Sequence, residues 1–290
     1  MFGVEEYLTS VHDRRQEQYA TSASFFGSVL TAYLTLVLVL GPFLMKKRLP
    51  YSLRNTLVLY DLVKIACNVY YFHRIATIFF WSDTSFWCPP VGFDPTDDQT
   101  KLVSDTMYFY YAIKMIDLFD TIFIVLRKKR NQLTFRHITH HVSVAIASWV
   151  AYRLFPGGAM LWATGIQALA HAVVYFYYFV SAHQIPGVFF LKPFVTLIQM
   201  AHFVIVTIVM TINTANITCQ QPVLFLLANI IFNIINFFLF SDFYQTAYLH
   251  QGHQGFVKQK ECYEEYLMKS LDSSKRIVEK DEKENNTAQI

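Results

Sequence analysis

Charge is what this chain has least of. Asp, Glu, Lys and Arg make up 16% of 290 residues, against 54% hydrophobic and 17% aromatic. A soluble domain needs charge spread over its surface, and here the charges sit in a few clusters between long apolar runs. That excludes an ordinary soluble domain and predicts a polytopic membrane protein. Cysteine is also scarce: of four, only Cys67 lies within an apolar run, near its middle, so no thiol constellation offers a nucleophile. The chain has no internal repeat and no terminal dilysine retrieval signal. No cleavable signal peptide is expected either, because the first apolar run begins only after about twenty polar residues.

What is present is a set of apolar runs long enough to cross a bilayer, each needing about 20 residues. They fall near 24–45, 55–80, 106–126, 133–152, 159–181, 189–212 and 222–248. Basic residues follow the odd-numbered runs: Lys46, Lys47 and Arg48 after the first, Arg127 to Arg130 after the third, Lys192 after the fifth, and a Lys-rich tail after the seventh. By the positive-inside rule these ends face the cytosol. The expected organisation is a lumenal segment over 1–23, a seven-helix unit over 24–248 and a disordered charged cytosolic tail over 249–290. Cys88 and Cys219 then lie in two different lumenal loops, as a disulfide or as two free thiols. Asn216-Ile217-Thr218 is a glycosylation sequon on the same side, close to the membrane.

The third and fourth runs carry polar groups that an apolar segment does not need. On a helix His137, His140 and His141 fall at about 0, 300 and 40 degrees, one face. Lys114, Asp117, Asp120 and Thr121 likewise share about a third of the circumference of the third span. Asp120 stands seven residues before the Arg127–Arg130 cluster and His137 seven after it, so both sit roughly 10 Å into their helices. The fifth span adds Gln167, His171, Tyr175 and Tyr178 at helical spacing, the sixth Thr196, Gln199 and His202, and the seventh an Asn229, Asn233 and Asn236 stripe. Taken singly, a buried His or Asn is more often a hydrogen-bonded packing residue than a catalyst. Five helices offering polar faces at one depth point instead to a shared interior cavity in the cytosolic half.

Three chemistries compete for such a cavity. A membrane metal-dependent desaturase or hydroxylase would use the HxxHH box as ligands, but it requires further HxxxH and HxxHH boxes that this chain lacks. No metal is therefore expected. A transporter or receptor predicts a polar pathway reaching both membrane faces, whereas the lumenal halves of the spans are mainly apolar, His73 excepted. Acyl-group chemistry fits better. Imidazoles sheltered from water stay uncharged near neutrality, and an uncharged ring is a competent nucleophile and base. Asp117 or Asp120 can fix its tautomer, with Lys114 balancing their charge.

The stretches KMIDLFDT, HITHH, HAVVYFYY and TLIQMAH, in this order on these spans, resemble the four boxes of the ELO family of fatty acid elongases, written KxxExxDT, HxxHH, HxxMYxYY and TxxQxxQ. The resemblance covers about residues 20 to 250. Asp117 stands where Glu is usual, Val174 where Met is usual and His202 where the last Gln is usual. The resemblance implies an all-α integral membrane protein of seven transmembrane helices, the second to seventh forming a barrel around an acyl tunnel closed toward the lumen, with the first packed outside. It implies an endoplasmic reticulum acyltransferase that condenses a long-chain acyl-CoA with malonyl-CoA to 3-oxoacyl-CoA, CO2 and CoA. Neither CoA ester is a cofactor; both are substrates. By the same resemblance His140 takes the acyl group with His171 assisting, while His137 and His141 orient or exchange protons and Asp117 and Asp120 support them. Lys114, Thr121, Tyr175, Tyr178, Gln199, His202 and Lys192 would contact substrate, with CoA phosphates near Lys192, Lys258, Lys260 or the Arg127 cluster. Expected partners are the lipid bilayer and the reductases and dehydratase of the elongation cycle; a homodimer is compatible with this picture and nucleic acid is not.

Overall fold

The computed structural model describes residues 19–81, 97–183, 185, 187–215 and 221–250. Among these residues there are seven long helices and no strand: α1 (Ala23–Met45), α2 (Arg54–Trp81), α3 (Asp98–Leu126), α4 (Phe135–Leu154), α5 (Ala159–Ala182), α6 (Lys192–Ala215) and α7 (Val223–Tyr244). Cys88, Cys219, the Asn216 sequon, Lys258 and Lys260 lie outside the described residues.

Local chemistry sets the ends that matter for the site. Asp97 caps α3, accepting from Thr100 N at 2.8 Å and Thr100 Oγ1 at 2.6 Å. These bonds hold its carboxyl below the ordinary carboxylate range, so the cap contributes at neutral pH and is lost on acidification. Thr134 caps α4 by accepting from the backbone N–H of His137 at 3.2 Å, which fixes the first histidine of the HITHH stretch at the helix start. α3 ends in paired backbone bonds, Lys129 N to Ile124 O and Lys128 N to Val125 O, both 3.0 Å. Lys128 sits there at φ 55, the left-handed conformation in which glycine is usual.

The polarity of the molecule is turned inside out. Phe43, Leu224 and Phe238 are 74, 77 and 65% exposed, whereas Lys64 and Lys114 are each 1% exposed. In water this would forfeit the hydrophobic effect; against lipid it is the favourable arrangement. Among the described residues four helices are long and apolar enough to cross a membrane: Ala23–Met45, Ala159–Ala182, Val188–Ala215 and Val223–Leu249. α2, α3 and α4 have comparable lengths of 28, 29 and 20 residues. Their apolar character is diluted by inward-facing groups, notably Asp61, Lys64 and Asn68 on α2 and the charged and imidazole residues of α3 and α4.

α2 packs on both α3 and α5, α3 on α4, α5 on α6, and α6 on α7. α4 meets α7 through side chains, with Arg136 Nη1 donating to Leu239 O at 3.0 Å. α1 lies along α3 and α4: Phe26 stacks on Trp149 with ring centroids 5.1 Å apart. At one end of the bundle Tyr51 N donates to Leu126 O at 3.1 Å and Arg54 Nε to Ala182 O at 3.0 Å. Those bonds gather the Lys46 to Arg48 and Arg127 to Arg130 clusters at the same end.

Candidate active site

Asp117 is the hub of a buried charge cluster drawn from three helices. Its Oδ1 accepts a close hydrogen bond from Lys64 Nζ of α2, and its Oδ2 accepts from Lys114 Nζ at 3.0 Å. Lys64 Nζ also donates to Ile113 O at 3.2 Å. From α5 the Tyr175 hydroxyl reaches Asp120 Oδ2 at 2.7 Å and Asp117 Oδ1 at 3.3 Å. Two ammonium groups thus face two carboxylates, which is the condition for keeping charge in a dry interior. The cluster reaches the imidazoles through Lys114, whose Nζ lies 3.3 Å from His171 Nδ1. An ammonium only donates, so His171 Nδ1 accepts and its proton resides on Nε2.

His140 has the opposite polarity. Its Nδ1 lies 3.1 Å from Asn236 Oδ1 of α7. The amide cannot be turned around, because Asn236 Nδ2 donates at 2.8 Å to Phe232 O. An oxygen therefore faces the ring, Nδ1 carries the proton, and Nε2 is left as the lone pair. His137 Nε2 is 3.0 Å from Thr121 Oγ1, which accepts from the Tyr33 hydroxyl of α1 at 2.8 Å. Thr121 then turns its own proton toward His137. His141 completes the group, its ring 4.4 Å from that of His137 and 5.7 Å from that of His140.

Beyond the imidazoles, away from the basic end, lies a small cavity of about 40 Å³, room for ordered water. Residues of α3, α4, α5, α6 and α7 line it, among them Tyr110, Ser148, Gln167, His202 and Asn233. Farther along, the turn between α4 and α5 is closed by the buried Gln221, which accepts from Ala159 N at 2.8 Å and donates to Gly157 O at 3.2 Å.

The structure brings together Lys114, Asp117, Asp120, Thr121, His137, His140, His141, His171 and Tyr175, and sets His202 on the cavity wall. Gln199 is half-buried on α6, one turn before His202. Tyr178 is 47% exposed, its ring edge-on to Tyr175. Lys192 is exposed with its Nζ 6.0 Å from the Tyr248 ring. Among the described residues no group of three His, Cys, Asp or Glu side chains is disposed to hold a metal ion. Sequence reasoning missed Lys64 and Tyr33. Lys64, Asn68 and Tyr71 are buried at helical spacings of four and three, so a polar stripe on the second span was the available signal.

Seven packed helices with outward apolar surfaces and a buried cluster of imidazole and carboxyl groups define a multi-pass membrane protein with a polar interior. The chain matches the ELO: GNS1/SUR4 family over residues 18–255, and it belongs to that family. It is 31% identical over 226 residues to human very long chain fatty acid elongase 1, covering 76% of this chain and 80% of that one. A very long chain fatty acid elongase of Aedes aegypti is 30% identical over 251 residues, covering 84% of this chain and 69% of its own length. Very long chain fatty acid elongase 7 of Drosophila melanogaster is 26% identical over 251 residues, with coverage of 85 and 76%.

Proposed function

We propose that the protein is a fatty acid elongase that condenses a long-chain acyl-CoA with malonyl-CoA in the endoplasmic reticulum membrane, its N-terminus lumenal and its C-terminus cytosolic. The fold reading that goes with this is a barrel of α2 to α7 around an acyl tunnel, with α1 outside. The pairwise packing of α2 on α3 and α5, α3 on α4, and α5 through α7 supports it. Both CoA esters are substrates and no metal or cofactor is invoked. The product passes to separate reductases and a dehydratase, and dimerisation is compatible with the scheme.

In the first stage the His140 Nε2 lone pair attacks the thioester carbon; the new C–N bond replaces C–S, and CoA leaves as thiolate and is protonated by solvent. In the second, malonyl-CoA loses CO2, and the resulting carbanion attacks the acyl carbon. The C–N bond breaks and His140 returns to its starting state, its proton staying on Nδ1 and donated to Asn236 Oδ1 throughout. His171 Nε2–H is the complementary group, a donor to carbonyl oxygen as negative charge develops there. Lys114 and Asp117 hold that ring, Lys64 and Tyr175 hold Asp117, and Thr121 orients His137. Apolar stretches of the tunnel gain about 0.8 kcal/mol per buried methylene, and the basic end suits the phosphates of CoA.

The observation that carries this reading is the Asn236 contact, which leaves His140 with its lone pair on Nε2. Incubation of purified protein with acyl-CoA alone is expected to release free CoA and leave acylated enzyme. Adding malonyl-CoA should then release CO2 with loss of the acyl label. Absence of CoA release from folded protein refutes the two-stage scheme, and full activity in His140→Ala refutes the nucleophile assignment.

A further inference from the structure

α1 lies outside the reaction scheme, yet a buried chain of hydrogen bonds joins it to the imidazoles. Tyr33 is 4% exposed and Thr121 0%. The Tyr33 hydroxyl donates to Thr121 Oγ1 at 2.8 Å, and Thr121 Oγ1 lies 3.0 Å from His137 Nε2. A threonine inside a helix commonly gives its one proton to the carbonyl four residues back. Thr106, Thr164, Thr196, Thr207 and Thr211 all do so in this protein. Thr121 makes no such bond among the described residues. With Tyr33 donating to its oxygen, its own proton is turned across the helix boundary to His137.

The seating of α1 follows from its own sequence. Pro42 has no N–H for the carbonyl of Leu38, and the turn before it widens over Leu36–Leu40, with Gly41 N donating to Leu36 O. Gly41 is pressed against α3, since a Cβ there would lie 2.6 Å from Val125 Cγ1. Val125 and Thr121 stand one turn apart on α3, so the glycine contact and the tyrosine bond dock α1 on one face. Toward the other end Trp149 Nε1 donates to Thr21 O at 2.9 Å and the Tyr111 hydroxyl to Ala20 O at 3.0 Å.

Resting on the elongase reading above, we infer that Tyr33 is a positioning residue for the condensation. It holds the Thr121 hydroxyl off its own helix, so that Thr121 donates to His137 Nε2 and the proton of that ring stays on Nδ1. The His137 ring, 4.4 Å from that of His141, cannot turn over without losing the Thr121 bond. The helix packed outside the barrel thereby sets a proton position inside it.

The test has two arms. In the first, full-length protein carrying isotopically labelled histidine in lipid bilayers shows by solid-state NMR which ring nitrogen holds the proton, the His137 signals being those lost in His137→Gln. Wild type is expected to be protonated on Nδ1, and Tyr33→Phe to share that signal with the Nε2 tautomer. In the second arm, malonyl-CoA-dependent condensation of a long-chain acyl-CoA is measured. Tyr33→Phe should lower kcat about tenfold, equivalent to one buried hydrogen bond, with KM within about twofold of wild type because neither hydroxyl touches substrate. Thr121→Val should lower kcat as far, and adding Tyr33→Phe to it should change nothing more. A wild-type His137 protonated on Nε2, or a wild-type kcat in Tyr33→Phe, overturns the inference and leaves the elongase reading standing. Failure of folded wild type to condense these thioesters overturns both.

Discussion

Lys64→Met is the perturbation that most directly tests how the buried charges are held. Methionine keeps most of the apolar stem and removes the ammonium, leaving Asp117 and Asp120 against Lys114 alone. Breaking a buried pair costs about 3–5 kcal/mol because the abandoned partner stays in a dry interior. Asp117 keeps Lys114 at 3.0 Å and Tyr175 at 3.3 Å, so the lower figure, about 3 kcal/mol, applies. Asp117→Asn errs in the other direction, setting two ammonium groups against Asp120, at a similar cost. In the double variant Lys114 faces Asp120 and the count balances again. Its loss should be about 1–2 kcal/mol, the bonds removed, instead of the roughly 6 kcal/mol that independent effects would give. Equilibrium unfolding in mixed micelles, followed by helical circular dichroism, measures all four corners of the cycle. Effects that add to within about 0.5 kcal/mol would refute the Lys64 to Asp117 pairing. Condensation should fall about tenfold in Lys64→Met, since a displaced Asp117 no longer seats Lys114 against His171.

Two further outcomes follow from single contacts. Asn236→Leu keeps the volume beside His140 but removes its acceptor, so the ring no longer holds its proton on Nδ1. The burst of CoA released from acyl-CoA alone should slow about tenfold with little change in unfolding, equivalent to one buried hydrogen bond; an unchanged burst rate would refute the tautomer assignment. Gly158 has φ 57 and ψ −148, a conformation close to exclusive to glycine, and an added Cβ would lie 2.3 Å from Gln221 Cδ. Gly158→Ala should destabilise the protein by about 2 kcal/mol or more, and a thermal midpoint equal to wild type would show that the α4 to α5 turn is not locked as described.

The helices were legible because each rests on an apolar run long enough to find by length alone. The second span, expected over 55–80, is Arg54–Trp81, and the fifth, expected over 159–181, is Ala159–Ala182. α3 begins at Asp98, eight residues before its apolar run, because the polar turn DQTKLVSD is capped by Asp97 and continues the helix beyond what hydropathy marks. Within the site, Lys114, Asp117, Asp120 and the histidines were legible from helical spacing, and Thr121 and His137 do meet. The expected depth of about 10 Å into each helix does not hold for His137, because residues 131–134 form the turn and α4 begins only at Phe135. Lys64 was not legible. Its partner lies 53 residues away on a helix whose rotation relative to α2 is set by packing, and no local spacing encodes that. Tyr33 was hidden for the same reason, since only the docking of α1 on α3 brings its hydroxyl to Thr121.

The two ends of the chamber differ in a way that gives the proposed reaction its direction. At the imidazole end the bonds from Tyr51, Arg54 and Arg136 to carbonyls of neighbouring helices draw Lys46, Lys47, Arg48 and Arg127 to Arg130 around the entrance. At the opposite end Gln221 fastens the Gly157 to Ala159 turn, and Phe155 packs against Phe225 with centroids 4.5 Å apart. A substrate with a polyanionic head and an apolar chain fits the proposed scheme with its head at the end where both basic clusters gather. The thioester joins head to chain, so it must stop where the basic rim gives way to the interior. In the proposed scheme His140 occupies that boundary, and its position there follows from the Thr134 cap, which starts α4 at Phe135 and sets His140 in its second turn.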